Sequence, residues 1–356
     1  TAHHTWLNVP LELRPSHYNQ YYFQGQSLTN QGIDFKFVKG KFAVFGEASM
    51  SFNKGSEAPE LVEGPTDNTT VLRQAQQPAL TLGFAGLVGL TVKPAGYLNF
   101  TIMYRDYGKA YQNLLGNAFG EGSRNQGQRG IYLGVEAAPA PYWNILAYAD
   151  QFQFTWLSSQ VNAPSRGHDY YLRISHSFSR RVNAYLQFRS KTKMKNSTDG
   201  MVFTHYPIFY TKNAVRFNIN YQVWDLHFGN KAEYAHYRND DGSNEHGYFL
   251  CQDIAYKPEN KPYSLTFRYA IFDAKDYNAR IYAYENDVLY SFSVPALYGK
   301  GMRFYLLGKV KLFNALTLYA RIGRTIYSDR DEIGSGLTLI EGNHKTDLKV
   351  EAVWKL

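Results

Sequence analysis

One cysteine, Cys251, stands among 356 residues, so no disulfide can form within the chain. Long apolar runs are also missing. The best candidate, residues 79–92, is interrupted by Gly83, Gly86 and Gly89 and falls short of the roughly 18 apolar residues that a transmembrane helix needs. A helical membrane protein is thereby excluded, whereas a strand-built one is not, because spanning strands need only about 9–11 residues and alternate in polarity. The opening TAHHTWLNVP has neither a charged n-region nor an apolar h-region. It reads as the start of a processed chain, or of one separated from an N-terminal part. Charged residues are only 19%.

Aromatic residues are abundant, at 16% with 30 Tyr and 23 Phe, yet mean hydropathy is −0.43. That combination fits strands with one face in lipid and one in water. The net charge of +8 suits contact with anionic headgroups, lipopolysaccharide or other polyanions.

The clearest pattern closes the chain. Across KTDLKVEAVWKL, Leu348, Val350, Ala352, Trp354 and Leu356 share one face of an extended strand, and Asp347, Lys349, Glu351 and Lys355 the other. The same alternation recurs over 182–189, 302–312 and 316–325. Paired strands are expected near 79–92 and 97–107, 130–137 and 142–154, 169–178 and 181–193, 213–223 and 226–237, 247–256 and 263–273, and 301–312 and 315–327. Ahead of them, 21–26 and 33–39 read as a hairpin over Thr29–Gly32, followed by a strand at 41–52. Short turns alternate with long polar stretches at about 54–77 and at 108–129, 155–168, 194–212, 238–246, 274–299 and 328–344. That asymmetry predicts a transmembrane antiparallel up-and-down β-barrel of about 16 strands (14–18), with short periplasmic turns and long extracellular loops. Residues 1–18, with Pro10 and Pro15, read as a periplasmic leader segment and 19–356 as the barrel, placed in the bacterial outer membrane.

The segments YGKAYQNLLGNAFGEGSRNQGQRGIYLGVEAAP, YWNILAYADQFQFTW and VNAPSRGHDYYL, with FAVFGEASMSF before and IGSGLTLIEGNHKTDLKVEAVWKL after, carry a resemblance. From about residue 20 onward the chain resembles the outer-membrane barrel of Bacteroidota proteins that carry helix-hairpin-helix domains. GNAF and NAPS-G-DY are its most specific parts. The resemblance implies the barrel and no particular activity. These residues contain no helix-hairpin-helix repeat, so nucleic-acid binding is not expected of them.

Alternation puts Arg105, Arg173, Arg189, Lys191, Arg216, Arg268, Arg303, Lys309, Lys311, Arg321 and Lys349 on the polar, lumen-lining face. Charged rings set selectivity in pores, so an excess of cations favours anions. Pairing with acids such as Glu47, Glu136, Asp347 and Glu351 is the competing reading, and it braces the wall instead. The glycine-rich Gly116–Gly122, with Asn117, Phe119 and Glu121, reads as a mouth or constriction loop. Tyr97, Trp143, Trp156, Trp224, Tyr263 and Trp354 read as interfacial girdles.

Catalytic signals are weak. No GxSxG elbow occurs, since Gly334-Ser335-Gly336 reads as a loop, and His3-His4, His168, His205 and His246 show no shared spacing. The acidic stretch 239–245 lacks EF-hand spacing. No cofactor, metal or enzymatic activity is expected. The sequence points to a porin-like or translocation channel with a basic lumen. The alternatives are a plugged barrel anchoring a larger outer-membrane complex and, last, a barrel hydrolase. Lipid and lipopolysaccharide are the expected partners, with other outer-membrane or periplasmic proteins possible.

Overall fold

The computed structural model describes residues 1–14, 16–54, 80–122, 124–197 and 206–355. Most of the expected 54–77 loop, together with His205 and Leu356, lies outside these residues. Among them, no helix is long and apolar enough to cross a membrane.

Strands come in pairs, in chain order. β1 spans Ala2–Leu11, β2 Gly25–Lys39, β3 Phe42–Lys54, β4 Leu80–Ala95, β5 Leu98–Tyr107 and β6 Gln128–Ala137. β7 covers Trp143–Phe154, β8 Ser165–Ser179, β9 Val182–Asn196, β10 Pro207–Val223, β11 Leu226–Asn239 and β12 Asn244–Tyr256. Beyond them are β13 Tyr263–Ala274, two short strands β14 Ile281–Tyr282 and β15 Ala296–Leu297, β16 Gly299–Lys311 and β17 Leu316–Tyr327. A second short pair, β18 Glu332–Ile333 and β19 Ile340–Glu341, precedes β20 at His344–Trp354. The sixteen long strands make one up-and-down sheet in sequence order. β14 pairs with β15, and β18 with β19, outside it.

The expected strands from residue 80 onward are present, within a few residues at their ends. The first hairpin is not. Thr29–Gly32 is extended in the middle of β2, and the chain reverses instead between Leu11 and Gly25, where Gly25 has φ 110°. β1 lies antiparallel to β2 from Ala2↔Gln31 to Trp6↔Ser27. The N-terminal ammonium donates to the Gly32 carbonyl at 2.7 Å, and His4 Nδ1 lies 2.8 Å from Thr29 Oγ1. Ala2–Leu11, read from sequence as part of a leader, is therefore the sheet's first strand. The strand count of sixteen holds because this strand replaces the one lost from the hairpin.

The chain divides into two compact units. The first comprises Thr1–Glu136, Tyr148–Tyr170 and Thr192–Phe209; the second comprises Ala137–Ala147, Tyr171–Lys191 and Tyr210–Leu356. In both, the alternation is inverted relative to a soluble sheet. On β20, Leu348 and Val350 are 71% and 73% exposed while Asp347 and Lys349 are half-buried. On β13, Leu265, Phe267, Tyr269 and Ile271 are exposed, and Thr266, Arg268, Ala270 and Phe272 are buried. An apolar face open to the surroundings, with a polar face behind it, is the arrangement a hydrocarbon solvent selects.

In the first unit, residues 108–122 fold onto the polar face. Gln112 donates its backbone N–H to Ser51 Oγ (2.9 Å), Asn30 Nδ2 donates to the Gln112 carbonyl (2.7 Å), and Tyr111 lies 3.0 Å from Ser49 Oγ. The segment comes so close to β4 that a Cβ on Gly83 would stand 2.3 Å from Tyr111 Cα and 2.4 Å from the Ala110 carbonyl oxygen. Only glycine leaves that space. Gly83→Val is expected to lift 108–113 off the sheet, so that limited trypsinolysis cuts the variant at Lys109 while the wild type resists.

Candidate functional site

The longest polar connection of the second unit, residues 275–298, packs on the polar face of the strands around it. Two features build it. β14 and β15 pair Ile281 with Leu297 and Tyr282 with Ala296, and the bridge Glu285↔Ser293 extends the ribbon. Period-two alternation then sorts the side chains: Ile281, Ala283 and Glu285 are buried, and Tyr282 and Tyr284 are exposed.

Glu285 is the centre. Arg303 approaches it side-on, donating Nε to Oε1 (2.7 Å) and Nη2 to Oε2 (2.9 Å). Arg321 donates Nη2 to Oε2 at 2.5 Å, and Ser293 Oγ lies 3.2 Å from the same oxygen. Glu285 is 2% exposed and Arg321 1%. Both guanidiniums reach on to Asp347, Arg321 at 2.7 Å and Arg303 at 3.4 Å. Arg321 Nε also donates to the Asn286 carbonyl (3.1 Å), and Arg303 Nη1 to Thr325 Oγ1 (2.7 Å). Two arginines from neighbouring strands thus share two carboxylates, one from the loop and one from β20. Bidentate, charge-assisted bonds of this kind are the strong ones.

Further contacts fix the loop on either side. Asp287 accepts from Lys349 Nζ at 2.5 Å, from Ser291 Oγ at 3.1 Å and from the Val288 N–H at 2.9 Å. Arg268 holds Asp253 with two bonds of 2.6 Å and donates its remaining nitrogen to the Tyr284 carbonyl. Asn286 donates through its backbone and side chain to the buried Tyr305 hydroxyl, at 3.2 and 3.3 Å. Arg321 lies 4.7 Å from the Tyr305 ring centroid, a cation–π contact. At the loop entrance Lys212 Nζ donates to the carbonyls of Asn278 and Arg280.

Sequence reasoning placed Arg268, Arg303, Arg321 and Lys349 on this face, and the structure brings them together here. Elsewhere in the second unit Arg216 pairs with Glu233 (2.7 Å), and Arg173 donates to Gln187 (2.7 Å) beside the Tyr185 ring. Arg189 and Lys191 are half-buried on β9, Lys309 lies 5.6 Å from the Tyr319 ring centroid, and Lys311 is exposed at the strand end. In the first unit Arg105 is fully buried against Asp150 (2.8 and 3.0 Å), with Gly130 leaving room for its guanidinium. At least six of the eleven predicted cations therefore sit in ion pairs with carboxylates.

The predicted constriction loop is also folded inward. Phe119 packs edge-on against Tyr132 (5.1 Å), its carbonyl accepts from Tyr107 OH, and Glu121 pairs with Lys193 (2.9 Å). Asn117 is exposed. Of the girdle residues, Tyr97, Trp143, Trp224, Tyr263 and Trp354 are exposed at the short-turn ends of their strands. Trp156 differs. It lies past the end of β7, edge-on to Tyr21 (4.9 Å), donating Nε1 to the His17 carbonyl (3.3 Å), with Lys109 Nζ 4.7 Å from its ring. Its role is to pin the segment before β2.

Glu285 and Asp287 escaped the sequence reading because they sit in a connection taken as loop. Two signals pointed to them: the period-two run Ile281, Ala283, Glu285, and a polar face whose arginines outnumber the acids of the strands. Among the described residues, no three His, Cys, Asp or Glu side chains converge to hold a metal.

The chain matches no known family by sequence and no curated protein. Solved structures resemble it in fold. A chain in the structure of the FpvAI–pyocin S2 complex is 10% identical, with a TM-score of 0.52 over 92% of this chain and 47% of that one. This chain thus spans about half its length. In vitro-folded OmpT, an outer membrane protein of Vibrio cholerae, is 11% identical at a TM-score of 0.41, covering 99% and 95% of the two chains. OccAB3 of Acinetobacter baumannii is 12% identical at 0.39, covering 94% of each. The chain has the all-β, sixteen-strand, antiparallel up-and-down fold of an outer-membrane β-barrel.

Two outcomes follow for the loop. Glu285→Ala leaves two buried guanidiniums short of a partner and is expected to cost about 3–5 kcal/mol, read as a lower thermal midpoint in detergent. For Asp287, burial alone raises the carboxyl pKa, but the Lys349 bond, the Val288 N–H and Arg321 outweigh it and hold the group below its ordinary value. A depressed folded pKa means stability present at neutral pH and lost as pH falls below the carboxylate range. Thermal midpoints at pH 7 and pH 3 should therefore fall further apart for wild type than for Asp287→Asn.

Proposed function

We propose that the chain is an outer-membrane channel whose aqueous passage runs along the polar face and is narrowed by residues 275–298. The observation that carries this reading is the clamping of Glu285 and Asp287 by Arg303, Arg321 and Lys349. A barrel of about sixteen strands encloses an aqueous passage unless something fills it, and a segment fastened this firmly to the inner face sets its width. Water still reaches the same face: the side chains of Arg216, Asp253, Asp347 and Lys349 remain 24%, 24%, 28% and 37% exposed.

The ion pairs alter the expected selectivity. A lumen of bare arginines favours anions strongly, whereas paired arginines leave a weak field. We therefore assign a modest anion preference. We assign no catalytic role, since Glu285 and Asp287 have both carboxylate oxygens engaged by cations, hydroxyls or a backbone N–H.

A second reading, a barrel closed by its own loops and serving as an anchor for partner proteins, is favoured by the docking of a second segment, 108–122. Planar-bilayer recording separates the two. The channel reading expects steady conductance with a small anion-favouring reversal potential under a salt gradient. It also expects a rise of about twofold or more when 283–294 is replaced by a short Gly-Ser linker. Silence from inserted, folded protein of both kinds supports the anchor.

A further inference from the structure

The exposed apolar face of the second unit is not smooth. Between β10 and β13 it carries an open groove of about 300 Å³, lined by Phe217, Ala232, Leu250, Tyr269 and Ile271. Its floor is low because Ala232 stands directly between Phe217 and Leu250 in the register of β10, β11 and β12. A second groove of about 380 Å³ shares Leu250 and Ile271 and continues past Met302 to Tyr248, Asp273 and Lys300. Shared walls make the two one trough, running from mid-strand to the long-loop end.

Charge changes along it. The lower part is mostly apolar and ends at the amides of Asn230 and Gln252, which face each other in register. At the long-loop end, Lys300 stands 3.6 Å from Asp273, both exposed. Two residues along β12 from Tyr248, which pairs with Asp273, His246 directly opposes His236, and the two imidazoles stack at 4.8 Å with an interplanar angle of 7°. His246 Nδ1 lies 2.7 Å from Tyr234 OH, and His236 Nε2 lies 2.6 Å from Asn244 Oδ1. Arg238 and Lys275 are exposed at the same end, as are the acids Asp240 and Asp241 of the β11–β12 turn and Asp276. On β17, Arg324 lies two residues before Ile326, which lines the trough, and its Nε is buried with no hydrogen-bond partner among the described residues. Cations and imidazoles at the long-loop end of a mostly apolar trough match a molecule with an anionic head and apolar tails.

We infer that this trough seats a phosphorylated lipid of the outer leaflet. Its acyl chain lies along Leu250, Ile271 and Met302, and its phosphate meets the Lys300 and His246 side. The inference rests on the outer-membrane placement and goes beyond the channel reading, because it concerns the outward face alone.

The test is native mass spectrometry of the full chain, delipidated in detergent and mixed with bisphosphorylated lipid A, with the same lipid stripped of phosphate, or with inorganic phosphate. Wild type is expected to retain one phosphorylated lipid and to bind the stripped lipid about tenfold more weakly. Lys300→Glu, which reverses charge at the head, and Ile271→Trp, which fills the trough, are each expected to lower retention about tenfold. Both should still run as the compact, unheated band on a gel; if Lys300→Glu does not fold, Ile271→Trp decides alone. Equal binding of the two lipids, displacement by inorganic phosphate, or wild-type retention by the folded variants would overturn the inference.

Discussion

A carboxylate cannot sit in a dry place without cations around it, and Glu285 sits in one with two. Desolvating an ionised group costs several kcal/mol even after relaxation; here Arg303 and Arg321 approach Glu285 from adjacent strands and Ser293 Oγ caps what remains. The dependence runs both ways. Arg321 is as dry as its partner, and without the loop it would have only Asp347 and the face of Tyr305. Loop and wall therefore specify each other, and a connection that looks like surface in sequence becomes part of the interior.

The solvent outside makes this arrangement necessary. On strands such as β13 and β20 the outward face is apolar, so lipid takes it, and the polar residues behind it form the inner layer. Such a layer cannot be packed with leucine. It is instead held by pairs such as Arg105–Asp150, Arg216–Glu233 and Arg268–Asp253, each linking two strands. The docked segments 108–122 and 275–298 extend the same chemistry inward, the first mainly through neutral hydrogen bonds and the second through charge. The outward face is where side-chain size can vary, and the dip at Ala232 beneath Leu250 arises there.

Much of the fold was legible because alternation is a local signal. β20 could be read from Asp347 to Trp354 without knowing anything else, and the short turns at Ser179-Arg180 and Phe313-Asn314 set the rhythm. The first hairpin was misread because Thr29-Asn30-Gln31-Gly32 has turn chemistry, while its true partner, Ala2–Leu11, carries no apolar period to announce a strand. β1 is held by backbone pairing with β2, which composition does not report. The site was half legible. Alternation found the arginines, since their face is fixed by strand register. It could not find Glu285 or Asp287, whose positions are set by contacts more than 15 residues away in sequence. Trp156 was misplaced for a related reason: aromatic residues near strand ends suit a membrane boundary, but this one met Tyr21 and Lys109 first.

The most direct test of the account is amide hydrogen exchange of the bilayer-embedded protein across residues 281–293. If the buried ion pairs hold the loop on the inner wall, these amides exchange as slowly as those of β16 and β17. They also speed up together when Glu285 is replaced by alanine. Exchange as fast as in the exposed turn at 240–243, in wild-type protein at neutral pH, would contradict the clamp and with it the passage it is taken to narrow.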